Sequence, residues 1–192
     1  MAGHTGDADT ARALTSDEDA TVRATAYAAL ARIGALDGPT LVAALTDPDP
    51  YVRRRAATLA ASSDARAIVV DALLALLHDK DDHLVSEAAA WAFGEWTLDN
   101  PRLDDTVARL STMTTEHEEP LCREAAVAAL GAIGDDRALG AILTACSDKP
   151  AVRRRAVLAL APFDGPEVEG AIERALTDRD WQVRQAAEDL RR

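Results

Sequence analysis

Arginine and aspartate recur at matching places along the chain. They belong to a motif that is repeated along the chain. Each arginine directly follows an apolar residue of the motif, and in four copies of the motif an aspartate lies four or five residues before that apolar residue. The arginines are Arg23, Arg53, Arg123, Arg153 and Arg184. The aspartates are Asp17, Asp47, Asp148 and Asp178. Because guanidinium and carboxylate groups form charge-assisted hydrogen bonds, this spacing predicts a ladder of pairs that ties adjacent repeats together. Ser86 interrupts the ladder in the third copy.

The other residues that could do chemistry form no catalytic or metal-binding pattern. None of the four histidines has a second histidine four residues away, which a metal pair on one helix requires. Cys122 and Cys146 fall at apolar repeat positions, where small core residues are expected. The chain carries no nucleophile motif, phosphate loop or dinucleotide fingerprint. We therefore predict that the protein is not an enzyme and uses no cofactor and no metal.

The aromatic residues of the third copy are the most unusual apolar residues. Trp91 aligns with residues that are mostly small: Ala28, Thr58, Ala128 and Leu158. Two interpretations of Trp91 follow. The favoured one is that its ring fills a gap in irregular helix stacking, and the other is that it is an exposed anchor for a partner. Phe93 and Trp96 align with Leu30 and Ile33 and are expected in the core.

All of these residues belong to a motif that returns along the chain. Its fullest copy is LCREAAVAALGAIG from Leu121, and the six apolar anchors are spaced 30, 33, 37, 30 and 31 residues apart. The anchors are Val22, Val52, Val85, Cys122, Val152 and Val183. Apolar residues at i, i+4, i+7, i+8 and i+11 predict a helix buried on one face, which Asp-Pro steps begin and glycines end. A second helix follows each copy, and no stretch alternates with period two.

The periodicity predicts an all-α fold, a right-handed α-solenoid of stacked antiparallel helical hairpins. We expect a single domain over residues 1–192. Its repeats should span about 7–15 (partial), 16–46, 47–78, 79–115, 116–147, 148–177 and 178–192 (partial).

The pattern D-x-D-P-x-V-R-R-x-A-x-x-x-L, closed by a second helix, resembles HEAT repeats, specifically the short HEAT-like repeats named after phycobilisome lyases. The best matches are DPDPYVRRRAATLA, EEPLCREAAVAALGAIGDDRALGAIL and DRDWQVRQAAEDL, and the resemblance covers nearly the whole chain. It implies that first helices line a convex side and second helices a concave side that binds proteins. HEAT-like deoxyhypusine hydroxylases use several His-Glu steps to hold two irons, and this chain has one, His117-Glu118.

We therefore predict a non-catalytic scaffold or adaptor that binds a protein or peptide in the concave groove. The candidate binding residues lie off the apolar faces of the second helices, with Trp91 added from a first helix. They are Asp71, Asp105, Arg109, Arg137, Thr144, Glu167, Arg174 and Trp91. One alternative is a subunit or relative of a HEAT-like bilin lyase or isomerase. The other is a nucleic-acid binder of the HEAT-like DNA glycosylase type, which would need a basic concave face.

Charge narrows the possible partners. The net charge of -12 and the pI near 4.7 disfavour nucleic acid and anionic membrane surfaces as partners. The two lysines, Lys80 and Lys149, stand against nineteen arginines, and aspartate outnumbers glutamate two to one. This balance indicates a halophilic protein, with GC-rich codon usage as the alternative explanation. No secretory signal or membrane-spanning apolar run is present, so we expect a cytoplasmic location. The oligomeric state stays open.

Overall fold

The computed structural model describes residues 7–191, which contain twelve α-helices and two short 3₁₀ turns and no β-strand. The described residues form two compact units, residues 7–92 and residues 93–191. The first unit contains α1 (Ala8–Ala13), the 3₁₀ turn Leu14–Ser16, α2 (Ala20–Arg32), α3 (Gly38–Leu45), α4 (Pro50–Ala60), α5 (Arg66–Leu76) and most of α6 (His83–Trp96). The second contains the end of α6, α7 (Leu103–Glu116), α8 (Pro120–Ile133), the 3₁₀ turn Asp136–Ala138, α9 (Leu139–Ala145), α10 (Pro150–Ala159), α11 (Pro166–Ala175) and α12 (Trp181–Leu190).

Short polar signals set the helix ends. Asp19, Asp49 and Asp180 cap α2, α4 and α12 by accepting the backbone N–H two residues further on, at 2.7 to 2.9 Å. Proline occupies the first turn of α4, α8, α10 and α11, where its missing N–H costs nothing. Gly34 and Gly134 follow α2 and α8 with φ near +70°, a conformation that favours glycine at a helix end.

Like helices stack on like helices within each unit. In the first unit, α2 packs on α4 and α3 packs on α5. In the second unit, α8 packs on α10 and α10 on α12, while α7 packs on α9. First helices therefore form one layer and second helices another. This arrangement is an α-solenoid of antiparallel hairpins, as the repeat pattern predicts.

The buried layer is built mainly from alanine, leucine and valine. Phe93 and Trp96, at the start of the second unit, are fully buried and meet edge to face, with ring centroids 5.3 Å apart. Their predicted place in the core is confirmed.

Trp91 is not buried, so the favoured gap-filling interpretation was wrong. Its residue surface is 45% exposed. The reason is its phase on α6: Ala89, Ala92 and Phe93 are fully buried, whereas Trp91 falls with exposed Glu95 on the outward stripe. Small alanines already close the inward face at this level, and the ring points away from the core.

Candidate functional site: the ladder and the second-helix faces

Each arginine–aspartate pair of the ladder is called a rung here. The arginine of a rung binds two different segments of the chain. In the second unit, Arg123 donates through Nε and Nη2 to both carboxylate oxygens of Asp148, at 2.6 and 2.8 Å. Its Nη1 donates to the backbone carbonyls of His117 and Glu118, at 2.6 and 3.0 Å. These carbonyls precede the helix that carries Arg123, and Asp148 precedes the next first helix. One guanidinium therefore fastens two inter-helix loops.

The same geometry recurs at three other boundaries. Arg23 binds Asp47, Arg53 binds Asp79, and Arg153 binds Asp178, each through two parallel hydrogen bonds. Arg53 makes a further bond to Asp81 at 2.7 Å. In all four rungs the carboxylate lies 24 to 26 residues after the arginine. The predicted ladder is thus present, and its register runs from each repeat to the aspartate of the next one.

The third copy departs from this pattern at both positions that a rung uses. Ser86, at the arginine position, is fully buried and accepts the backbone N–H of Asp79 at 3.0 Å. His117 stands where the other loops carry aspartate. Its Nδ1 accepts the N–H of Glu119 at 3.1 Å, the local bond that Asp47 makes with Asp49. The substitution therefore keeps the loop bond while it removes the carboxylate.

The arginines of the rungs lower the pKa values of the carboxylates that they bind. The hydrogen bond from Arg123 holds the pKa of Asp148 below its usual value, and Arg153 lowers the pKa of Asp178 in the same way.

Burial raises the pKa of Cys146 to about 11, so this thiol stays protonated near neutral pH and is a poor nucleophile. No group of three or more His, Cys, Asp or Glu side chains between residues 7 and 191 could hold a metal ion.

The name second-helix face is used here for the exposed side chains of α3 and α5 in the first unit and of α7, the Asp136–Ala138 turn, α9 and α11 in the second. Asp71 lies on this face in the first unit. In the second unit it contains Asp105, Arg109, Arg137, Thr144, Glu167 and Arg174, all of which are exposed. Trp91 is also exposed, but it lies on the first helix α6. All eight candidate side chains are therefore accessible to a partner.

Part of the second-helix face of the second unit is an ion-pair network. Arg137 bonds Asp104 of α7 at 2.8 Å and Asp135 at 2.7 Å. The guanidinium lowers the pKa of Asp135 to about 2. Asp105 pairs with Arg102 at 2.7 Å. Sequence reasoning selected Arg137 but missed Asp104, whose partner is 33 residues away and follows no repeat rule.

Other charges on the same face have no such partner. In the described residues, the side chains of Arg109, Glu167 and Arg174 make no hydrogen bond or ion pair. This contrasts with the four rung arginines, each of which donates to a carboxylate and to at least one backbone carbonyl. The second unit thus contains two groups of charged side chains. Those of the rungs are bonded within the fold, and those of Arg109, Glu167 and Arg174 are available to another molecule.

The fold defines a helical-repeat protein. Residues 38–102 match the family model described as HEAT repeats, which confirms the predicted resemblance. Over these residues the chain is similar to HEAT repeats. None of the curated proteins matches it.

Solved structures support the same class. A designed armadillo repeat protein is 17% identical, with a TM-score of 0.66 over 95% of this chain and 97% of that one. The complex of CpcE and CpcF of phycocyanin lyase from Nostoc sp. PCC7120 is 22% identical, with a TM-score of 0.64 over 94% of this chain and 74% of that one. Human deoxyhypusine hydroxylase in complex with glycerol is 16% identical, with a TM-score of 0.52 over 96% of this chain and 83% of that one. At such identities the likeness shows the fold alone, and the fold is shared by a designed repeat protein and by two enzymes.

Proposed function

We propose that the protein is a non-catalytic scaffold or adaptor that binds a protein or peptide on its second-helix face, which we take to be the concave side. The observation that carries the proposal is the division of charge in the second unit. Rung arginines are bonded to the fold, whereas Arg109, Glu167 and Arg174 are exposed and make no side-chain bond among the described residues. A rigid repeat surface can bind an elongated partner with little reorganisation.

The chemistry of the face favours a polar partner of mixed charge. Arg109 and Arg174 offer planar guanidinium groups for carboxylates of the partner, and Glu167 offers a carboxylate for a cation. Such complementary charges raise association rates and set specificity more than they raise affinity. Asp71 offers a further carboxylate on the first unit, and Trp91 offers an apolar anchor on α6.

The wider setting belongs to the same proposal. We take residues 1–192 to act as a single HEAT-like domain in the cytoplasm of a halophilic organism, without cofactor, metal or nucleic acid. Between residues 7 and 191, the helices lack the combination of length and apolar character that crossing a membrane requires. The net charge of -12 supports a partner other than nucleic acid or an anionic membrane.

The decisive experiment compares charge reversals on two surfaces. Proteins captured from the native cell by the wild-type chain would be identified, and their binding measured for Arg109→Glu and Arg174→Glu. We expect each reversal to weaken binding by about tenfold, because a like charge then faces the partner. Arg54→Glu is the matched control. Arg54 is exposed on the first helix α4 and makes no side-chain bond among the described residues.

The same comparison, between variants on the second-helix face and the variant on the first helix α4, can contradict the proposal. If Arg54→Glu abolishes binding while both second-helix variants retain it, the partner binds the first helices.

A bilin lyase or isomerase subunit is the second candidate function, since the fold is similar to that of the CpcE–CpcF complex. A visible absorption band that copurifies with the wild-type chain, or transfer of a bilin to an acceptor protein, would favour that candidate.

A further inference from the structure

A pocket lies between the second helices α9 and α11 of the second unit. It has a volume of about 120 Å³ and is lined in part by Cys146 and Ser147, just after the end of α9, and by Arg174 of α11. Elsewhere, α3 packs on α5 and α7 packs on α9, whereas α11 packs mainly on the first helices α10 and α12. The pocket therefore occupies the place where α9 and α11 do not pack closely on each other.

Cys146 is the first of two departures from the repeat pattern at this pocket. It lies two residues before Asp148, the aspartate of a rung. The residues two before the aspartates of the other three rungs are Leu45, Leu77 and Leu176. Because a cysteine side chain is smaller than a leucine side chain, space that leucine fills in the other repeats stays open here.

Arg174 is the second departure. It lies four residues before the rung aspartate Asp178, at a position where the other rungs have short side chains. These are Ala43, Ala75 and Thr144. Arg174 is exposed and its side chain makes no hydrogen bond or ion pair among the described residues. An enlarged space and an unpaired guanidinium thus coincide at one pocket, and the stacking of the repeats requires neither.

The other ionisable groups that line the pocket leave it with a positive charge. The carboxylate of Asp178 accepts two hydrogen bonds from Arg153, at 2.7 and 2.9 Å, and one from the backbone N–H of Asp180 at 2.8 Å. Its charge is therefore matched within the rung. The Cys146 thiol stays neutral, because burial raises its pKa to about 11. The charge of Arg174 is the one that a ligand of the pocket would meet.

We propose that this pocket binds an acidic side chain of the partner protein, of the size of glutamate. Its carboxylate pairs with the guanidinium of Arg174, and its methylene groups contact Cys146 and Ala171. A cavity of about 150 Å³ holds a benzene ring, so a volume of about 120 Å³ suits the roughly five heavy atoms of a glutamate side chain. A charge-assisted pair in a recess is stronger than one on an open surface. This inference rests on the proposed function, because it names the chemistry that the partner presents to the second-helix face.

Propionate tests the pocket without the partner, since it has the heavy atoms of a glutamate side chain. Propionamide is the matched neutral probe. Both would be titrated at constant ionic strength while the backbone N–H signals of Ser147, Ala171 and Ala175 are followed by NMR. We expect saturable shifts at these residues with propionate, with half-saturation in the millimolar range that suits so small a ligand, and none with propionamide.

Two variants separate the charge from the space. Arg174→Gln should weaken propionate binding by at least about tenfold, because it removes the charge from an exposed side chain in a chain that still folds. Cys146→Leu fills the space as Leu176 does in its own repeat, so it should abolish the saturable shifts while Arg174 remains. Arg54→Gln, the same loss of charge on the first helix α4, should bind propionate as the wild type does. Shifts that do not saturate, that are equal for propionamide, or that survive Cys146→Leu overturn the proposal.

The same variants distinguish this inference from the proposed function. If the pocket receives a side chain of the partner, Cys146→Leu should weaken partner binding by at least about tenfold, as Arg174→Glu does. Partner binding that falls in Arg174→Glu but is unchanged in Cys146→Leu overturns the inference and leaves the proposed function standing. A partner that is insensitive to every change on the second-helix face contradicts both.

Discussion

At the scale of the residue, the rungs explain why arginine rather than lysine follows the anchors. Arg123 makes four hydrogen bonds to three residues, two of them parallel bonds to one carboxylate. A planar guanidinium with five N–H donors can reach all of these acceptors at once. An ammonium group, a compact point charge on a flexible stem, cannot reproduce the parallel pair. The scarcity of lysine in the chain therefore has a structural component at these positions.

Loss of a rung should destabilise the second unit. Arg123→Ala removes the guanidinium that donates to the largely buried Asp148 carboxylate and to the carbonyls of His117 and Glu118, at an expected cost of about 2 to 4 kcal/mol. The free energy of unfolding in urea measures this cost. Arg102→Ala, which removes an exposed pair with Asp105, should cost less than about 1 kcal/mol. Equal costs for the two variants would show that the rung does not stabilise the fold.

The rungs also predict how stability depends on pH. The arginine bonds lower the pKa values of Asp148 and Asp178 in the folded chain, below the value of about 3.9 expected when it is unfolded. Their stabilising contribution is therefore complete above about pH 4 and is lost as pH falls through the folded pKa values. Urea midpoints at neutral pH and near pH 3 should differ more for the wild type than for Asp148→Asn. Asp64→Asn, at an exposed residue outside the rungs, should behave as the wild type does.

At the scale of the element, the stacking of α8 on α10 depends on a glycine within the helix. A Cβ atom placed on Gly131 would lie 2.6 Å from the Cα and from the Cβ of Ala159 in α10. The repeat pattern places glycines at helix ends, but α8 continues past Gly131 to Ile133 and ends at Gly134. Gly131 therefore permits two first helices to approach closely, a role that one repeat viewed alone does not reveal.

Gly131→Ala should lower the free energy of unfolding by about 1 to 3 kcal/mol, because the backbone of α10 must shift to make room. This is the reverse of the usual effect of alanine within a helix, a gain of about 0.5 to 1 kcal/mol. Gly140→Ala in α9 is the matched control, since its new Cβ would meet nothing within 4 Å, and it should raise stability. Thermal melts of the two variants with opposite signs would support the close contact. Two gains would contradict it.

The helices and the ladder were predictable because a repeated pattern reports the same environment several times. Leu30, Phe93 and Leu130 occupy equivalent positions and are all buried, so each copy supports the others. The register of the ladder was not predictable, because the Asp before each arginine is closer in sequence than the one it binds. Trp91 and the Arg137–Asp104 pair depend on one copy only. Whether the candidate residues of the second-helix face bind a partner stays a prediction.

At the scale of the whole molecule, the acidic surface predicts a response to salt. With a net charge of -12, repulsion among exposed carboxylates opposes the compact state at low salt, and added ions screen it. The melting temperature should rise from low salt to molar potassium chloride. A triple variant with Asp64→Asn, Glu118→Gln and Glu188→Gln should show a smaller rise, because it carries less negative charge. A flat or falling melting temperature of the wild type would contradict this account.

The register of the rungs has a consequence for how such a chain can change length. Arg123 and its carboxylate Asp148 both lie within one interval, between the anchor Cys122 and the next anchor Val152, thirty residues later. Tandem duplication of that interval would supply a new arginine, a new acceptor and new loop carbonyls together, so every junction would remain complete. Because each repeat contacts mainly its neighbours, growth or shortening by whole intervals leaves the remaining junctions unchanged. Duplication of a gene segment can therefore lengthen the second-helix face while every junction keeps the same contacts.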